Sequence, residues 1–182
     1  MPNYRRSRTP GAKWFFTVVA FQRRPILTRP ESRAALRTAI ARTRETLPFV
    51  IDAWVLLPDH LHCIWQLPDG DAEYSKRWGM IKAAFSRDVR GAIGPHDAVS
   101  PSRRSRNERG IWQRRFWEHR IRDDEDLRRH VDYLHFNPVK HGHVRRVADW
   151  PWSSFHRYVA DGRYPADWGG SADPRAAPQV GE

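Results

Sequence analysis

The stretch WVLLPDHLHCIWQLP, residues 54–68, holds parts of two β-rich runs joined at Pro58-Asp59. Phe49–Leu57 and His60–Leu67 both read as strands, and so short a connection with Pro and Asp in it predicts an antiparallel hairpin. The period of two then sorts the second strand: His60, His62, Ile64 and Gln66 point one way, while Leu61, Cys63, Trp65 and Leu67 point the other. One face is apolar and must pack against another layer. The other carries two imidazoles side by side, close enough for both to grip one divalent cation, which neutral imidazole binds well. On its own, a His-x-His in a strand is more often two half-exposed histidines than a metal site.

Working outward, WFFTVVAF (14–21) reads as a buried strand, and 30–47 as a helix stopped by Pro48. Residues 73–89 predict a second helix, 91–109 a mobile loop of Gly, Pro, Ser and Arg, and 111–121 a further strand. From Asp123 four acidic residues announce a helix, with Leu127, Val131 and Leu134 as its apolar stripe and Pro138 expected to end or kink it. The order β, α, β, β, α, β, α predicts an α+β fold, a ferredoxin-like antiparallel sheet with helices packed on one face. The expected organisation is a basic arm over 1–12, one domain over 13–158, and a tail over 159–182 whose last part is disordered.

At 182 residues with 32 Lys+Arg against 21 Asp+Glu, the chain has a formal net charge of +11. Hydrophobic residues make up 40% and nine are Trp, which excludes a disordered basic tail and leaves a folded basic protein. A polyanionic partner is the first expectation, since basic surfaces collect nucleic acid by releasing counterions. No run of 18 apolar residues and no apolar signal core is present, so neither membrane spanning nor secretion is expected. The single Cys63 cannot form an internal disulfide; it fits a reducing cytoplasm and excludes a multi-Cys zinc finger.

In HVDYLHFNPVKHG (130–142), Tyr133 and Asn137 lie one turn apart and off the Leu127, Val131, Leu134 stripe. A tyrosine there can present its hydroxyl, and the amide its oxygen, to a cation held by the histidines. The plainer alternative makes Tyr133 an ordinary amphipathic residue and Asn137 a cap before Pro138. A phosphodiester would unite the two features: a divalent cation on its oxygens stabilises developing charge and aligns it for attack by a hydroxyl that is a poor nucleophile unaided.

Four strings, WVLLPDHLHCIWQLP (54–68), IWQRRFWEHRI (111–121), HVDYLHFNPVKHG (130–142) and DWPWSSFHRY (149–158), resemble the REP-associated tyrosine transposases, a single-tyrosine branch of the HUH endonucleases. The resemblance runs from about Tyr4 to Trp168. It implies a ferredoxin-like catalytic fold in which His60 and His62 bind Mg²⁺ or Mn²⁺ and Asn137 is the third ligand. Tyr133 is implied as the nucleophile of a 5′-phosphotyrosine intermediate that leaves a free 3′-OH. The implied substrate is single-stranded DNA carrying repetitive extragenic palindromes folded as hairpins. A monomer is implied for this branch, whereas insertion-sequence relatives act as dimers, and the expected location is the bacterial cytoplasm with its nucleoid.

The basic residues agree with that substrate. Arg103, Arg104, Arg106, Arg109, Arg114, Arg115, Arg120 and Arg122 fall close together with only Glu108 and Glu118 as acids among them, and Arg5, Arg6, Arg8 and Lys13 add a basic arm. Lys140 and His141 follow the tyrosine closely enough to touch the scissile phosphate. Interleaved Trp112, Phe116 and Trp117 offer base stacking, although alternate aromatics in a strand are usually core. Two other functions fit the same residues: a DNA- or RNA-binding module with a vestigial site, and a metal phosphohydrolase in which water attacks.

Overall fold

The computed structural model describes residues 8–93 and 110–169. Strands β1 (Lys13–Val19), β2 (Val50–Leu56), β3 (His60–Gln66) and β4 (Trp117–Arg120) form one sheet in the order β2-β3-β1-β4, every neighbour antiparallel. Helix α1 (Pro30–Thr46) connects β1 to β2, and α2 (Tyr74–Asp88) with the single turn α3 (Arg90–Ile93) follows β3. This is the ferredoxin-like α+β arrangement that the sequence predicts. Helices α4 (Asp124–Lys140) and α5 (Phe155–Ala160) come after it.

The alternation within the hairpin decides which layer each face meets. Leu61, Cys63 and Trp65 join Trp14, Phe16 and Val18 under α1 and α2, where Trp65 stacks on Trp78 with ring centroids 4.3 Å apart. The opposite face carries Phe15, Val55, Ile64 and the histidines, and α4 covers it. Helices therefore lie on both faces of the sheet, not on one. The apolar stripe of α4 has to be buried somewhere, and Val131 and Leu134 find Phe15, Val55 and Ile64.

The edges are handled differently. Beside β2, the segment after Trp150 adds a short extension: Leu56 N donates to Trp152 O over 2.9 Å and Ser154 N to Trp54 O over 2.8 Å, which covers an otherwise unpaired edge. The strand expected over 111–121 is shorter, because only Trp117–Arg120 pairs with β1. Upstream the chain leaves the ladder: Trp112 keeps one bridge to Ala20 and turns its ring onto Phe85 at 4.9 Å, and Lys82 Nζ donates to Gln113 O over 2.9 Å. Past Tyr158 the packing continues, with Tyr164 and Trp168 against Phe136, Val139, Val147 and Phe155.

Asp123 caps α4 by accepting from Asp126 N over 2.7 Å, and Asp124 and Glu125 in the first turn complement the helix dipole. Pro138 does not end this helix. It sits in the last turn, where its missing N–H costs one bond to Leu134, and the burial of Asn137, Pro138 and Val139 holds the backbone helical as far as Lys140. Among the described residues no helix is long and apolar enough to cross a membrane.

Candidate active site

On β3, His60 and His62 are buried, 4% and 0% exposed, with ring centroids 4.9 Å apart. Each ring is oriented through its Nδ1: His60 by Asp59 Oδ1 at 2.6 Å, and His62 by Thr17 Oγ1 at 2.9 Å, Thr17 being its register partner on β1. Asp59 is gripped from behind by Arg23 at 3.0 Å. That arginine projects from a turn in which Gln22 and Arg23 adopt φ of 54° and 51°, a left-handed backbone seldom seen outside glycine and often found beside functional groups. Burial works to raise the Asp59 pKa, but the hydrogen bond and charge of His60, with those of Arg23, bring it down to about 2. Burial, helped by the positive charge of His60, His141 and Lys140, pushes His62 well below the ordinary imidazole value. His62 is therefore neutral at pH 7, the form that binds metals.

Helix α4 brings the other half. Tyr133 is 2% exposed, its ring 5.3 Å from His62, and Lys140 Nζ donates to its hydroxyl over 3.3 Å. Phe15 fills the space between sheet and helix, 5.4 Å from His62 and 6.1 Å from Tyr133. Asn137, one turn beyond the tyrosine, is wholly buried beside His62 and favours that ring's protonated form. Its amide oxygen and nitrogen nonetheless make no hydrogen bond of ordinary geometry among the described residues. A buried amide left so costs stability unless a partner reaches it. Two imidazoles with Nδ1 already engaged, one by a carboxylate, and an amide oxygen form a donor set that fits a divalent cation, including the outer-shell carboxylate that such sites employ.

This chain is similar to known proteins along most of its length. One relative from Escherichia coli (strain K12), a REP-associated tyrosine transposase, is 48% identical over 170 residues, spanning 93% of this chain and 92% of its own. The chain belongs to the REP-associated tyrosine transposases. A relative from Haemophilus influenzae described as a candidate member of the same family is 46% identical over 176 residues, 95% of this chain and 96% of that one. A solved structure of a REP-associated tyrosine transposase bound to a REP hairpin aligns over 99% of this chain and 98% of its own, with a TM-score of 0.78 and 44% identity. No protein-family model matches the chain.

In this REP-associated tyrosine transposase the structure brings together six residues singled out from the sequence: His60, His62, Tyr133, Asn137, Lys140 and His141. Arg114 and Arg115 are exposed just ahead of β4. Arg5, Arg6, Arg103 and Arg104 lie outside the described residues. The aromatics considered for base stacking are engaged within the protein: Trp112 on Phe85, Phe116 on Phe16 at 5.8 Å, and Trp117 on Phe15 at 5.8 Å.

Sequence reasoning missed Thr17, Asp59 and Arg23. A threonine inside WFFTVVAF was the available signal, since a polar group in a buried strand needs a partner. Asp59 was hidden by its plausible role in the turn. A second group, His119, Asp126 and His130, also went unnoticed, and its donor atoms lie within 4.8 Å of one another, close enough to share a cation. Two guanidinium groups compete for it. Asp126 already accepts from Arg122 N, Arg122 Nε, Arg129 Nη2 and His119 Nε2. Burial works to raise its pKa, but the bonds from Arg122 and His119 outweigh it and hold the carboxyl far below the usual range. We read this knot as the fastening of α4 to β4.

Proposed function

We propose that this transposase nicks and rejoins single-stranded DNA at palindromic REP-type hairpins through a covalent 5′-phosphotyrosine, with Tyr133 as nucleophile. The observation that carries the proposal is the meeting of Tyr133 with Lys140 and His62 in one buried site. The hairpin-bound structure at 44% identity supports the substrate.

His60, His62 and Asn137 would hold Mg²⁺ or Mn²⁺. When bound there, such an ion stabilises charge on the non-bridging oxygens of the phosphodiester. The chain's own groups do the rest. Tyr133 Oη attacks phosphorus, forming the Tyr–O–P bond as the P–O3′ bond breaks; the phenolic proton is lost and the released 3′-oxygen takes up a proton. In rejoining, a 3′-OH attacks phosphorus and tyrosinate leaves, with the Lys140 ammonium beside the oxygen that regains negative charge. Thr17 and Asp59 keep the imidazoles turned for ligation, and burial under α4 excludes water that would otherwise hydrolyse the ester. A location beside chromosomal DNA and action as a monomer accompany this reading.

A labelled single-stranded REP hairpin with Mn²⁺ present tests it. The expected result is nicked DNA together with protein-linked label surviving denaturing electrophoresis, both abolished by chelator. Hairpin binding with no nicking and no effect of chelator would instead make the chain a binding module; nicking that persists in Tyr133→Phe would make water the nucleophile.

A further inference from the structure

On the far side of β2 from the catalytic tyrosine, a cavity of about 680 Å³ opens between α1 and the segment that follows Trp150. Arg33, Arg37, Arg44 and Arg157 line it, with Trp54 and Trp152 as aromatic walls, and none of the described residues lining it is acidic. The spacing of Arg33, Arg37 and Arg44 keeps them along one side of α1, over a length of about 16 Å. Their charges are uncompensated: among the described residues no carboxylate pairs with any of the four, and Arg44 and Arg157 donate instead to the backbone carbonyls of Phe49 and Asp52. Arg33 lies over the Trp152 ring at 5.0 Å, its buried Nε without a hydrogen-bond partner among the described residues. Val50 stands at the lip, more than half exposed.

The groove is joined to the candidate active site by a file of rings. From His60 the next centroid is His141 at 5.1 Å, then His143 at 6.2 Å, Trp150 at 5.3 Å and Trp152 at 4.9 Å. His141 and His143 are exposed along this path. Guanidinium groups over an apolar floor with aromatic walls suit phosphates and unstacked bases together, as in surfaces that hold single strands.

We propose that this groove is a second DNA-binding surface, which takes the single strand running away from the scissile phosphate, with Arg37 and Arg44 on its phosphates and Trp54 and Trp152 against its bases. This rests on the reading of the chain as a single-strand transposase, but binding in the groove does not require Tyr133 to react. It assigns a task to basic residues distinct from the arginines before β4.

The test is fluorescence anisotropy with a short labelled oligothymidylate across a salt series, on the full chain and on Arg37→Ala/Arg44→Ala. Both side chains are exposed, so the variant is expected to fold. The expected result is an affinity about tenfold lower and a log K against log salt slope shallower by about 1.4, since each phosphate contact on a single strand contributes about 0.7. Arg37→Lys/Arg44→Lys should restore the slope, which a packing role would not. An unchanged slope in the alanine variant overturns the proposal, as does equal competition by blunt duplex DNA or by polyglutamate, the latter pointing to an acidic protein. Tyr133→Phe should bind as the parent does, so loss of adduct chemistry and loss of groove binding remain separate results.

Discussion

Lys140 Nζ reaches the Tyr133 hydroxyl over 3.3 Å from two helical turns further along α4, and the same ammonium lies 4.6 Å from the tyrosine ring centroid. The contact exists because α4 runs on through Pro138. A helix broken at Asn137 would carry the lysine off the tyrosine's face, so the burial of Pro138 and Val139 places a charge at the tyrosine hydroxyl, the proposed nucleophile.

Lys140→Met should therefore slow both cleavage and rejoining while leaving hairpin affinity within a few fold. Removing one group that stabilises a reacting oxygen costs about 10²-fold or more in rate, and single-turnover kinetics on the labelled hairpin would show it. A rate equal to the parent's would remove Lys140 from the chemistry.

Asp59 orients His60 from outside the proposed ligand set and is itself fixed by Arg23. Replacing an outer-shell carboxylate of this kind weakens metal affinity about 10–100-fold, so Asp59→Asn should raise the Mn²⁺ dissociation constant by that factor in calorimetric titration. Arg23→Ala should produce a smaller loss in the same direction. Neither effect is expected if His60 does not hold the ion.

Asp126 is 1% exposed and accepts four hydrogen bonds, three of which join α4 to β4 and the turn between them while the fourth, from Arg129, lies within α4. Asp126→Ala leaves those donors without their acceptor and should lower stability by about 2–4 kcal/mol in urea unfolding. Adding Mn²⁺ to the parent should not raise stability through this cluster, since Arg122 and Arg129 already satisfy it.

His135 sits among the rings of Phe155, Tyr158 and Tyr164, with Nε2 on Ser154 Oγ at 2.9 Å, and burial, reinforced by the charges of Arg157 and His156, lowers its pKa to about 3. In the unfolded chain it titrates near 6.5. Between these values the unfolded state binds more protons, so stability is full above about pH 6.5 and falls as pH drops toward 3. His62 and His130, also lowered by burial, act in the same direction. His135→Gln should flatten the dependence of the urea midpoint on pH, and an unchanged slope would contradict the assignment.

Much of this was legible because strand periodicity is strict. Alternation in His60–Leu67 separated the histidines from Trp65 and Cys63, and the two faces meet different layers as a period of two requires. Helical spacing likewise kept Tyr133 and Asn137 together. Two local rules misled. Pro138 is expected to end or kink α4, and it does not end it, because tertiary burial outweighs one lost hydrogen bond; the expected length of β4 is too great because Trp112 is drawn into the core and out of the ladder. Long-range partners such as Thr17 for His62 and Arg23 for Asp59 depend on strand register and on an unusual turn, which a pattern within one segment does not encode. The groove beside β2 was equally hidden, since α1 and the segment after Trp150 bring together residues as far apart as Arg33 and Arg157.

The central claim is that Tyr133 becomes joined to DNA, and mass spectrometry of the protein after reaction with a single-stranded REP hairpin tests it directly. With Mn²⁺ present, digestion should yield the peptide containing Tyr133 carrying a nucleotide through its 5′-phosphate, and the matching 3′-OH fragment should appear in equal amount. Cleaved DNA with Tyr133 recovered unmodified, or a nucleotide attached to another residue, would contradict the account.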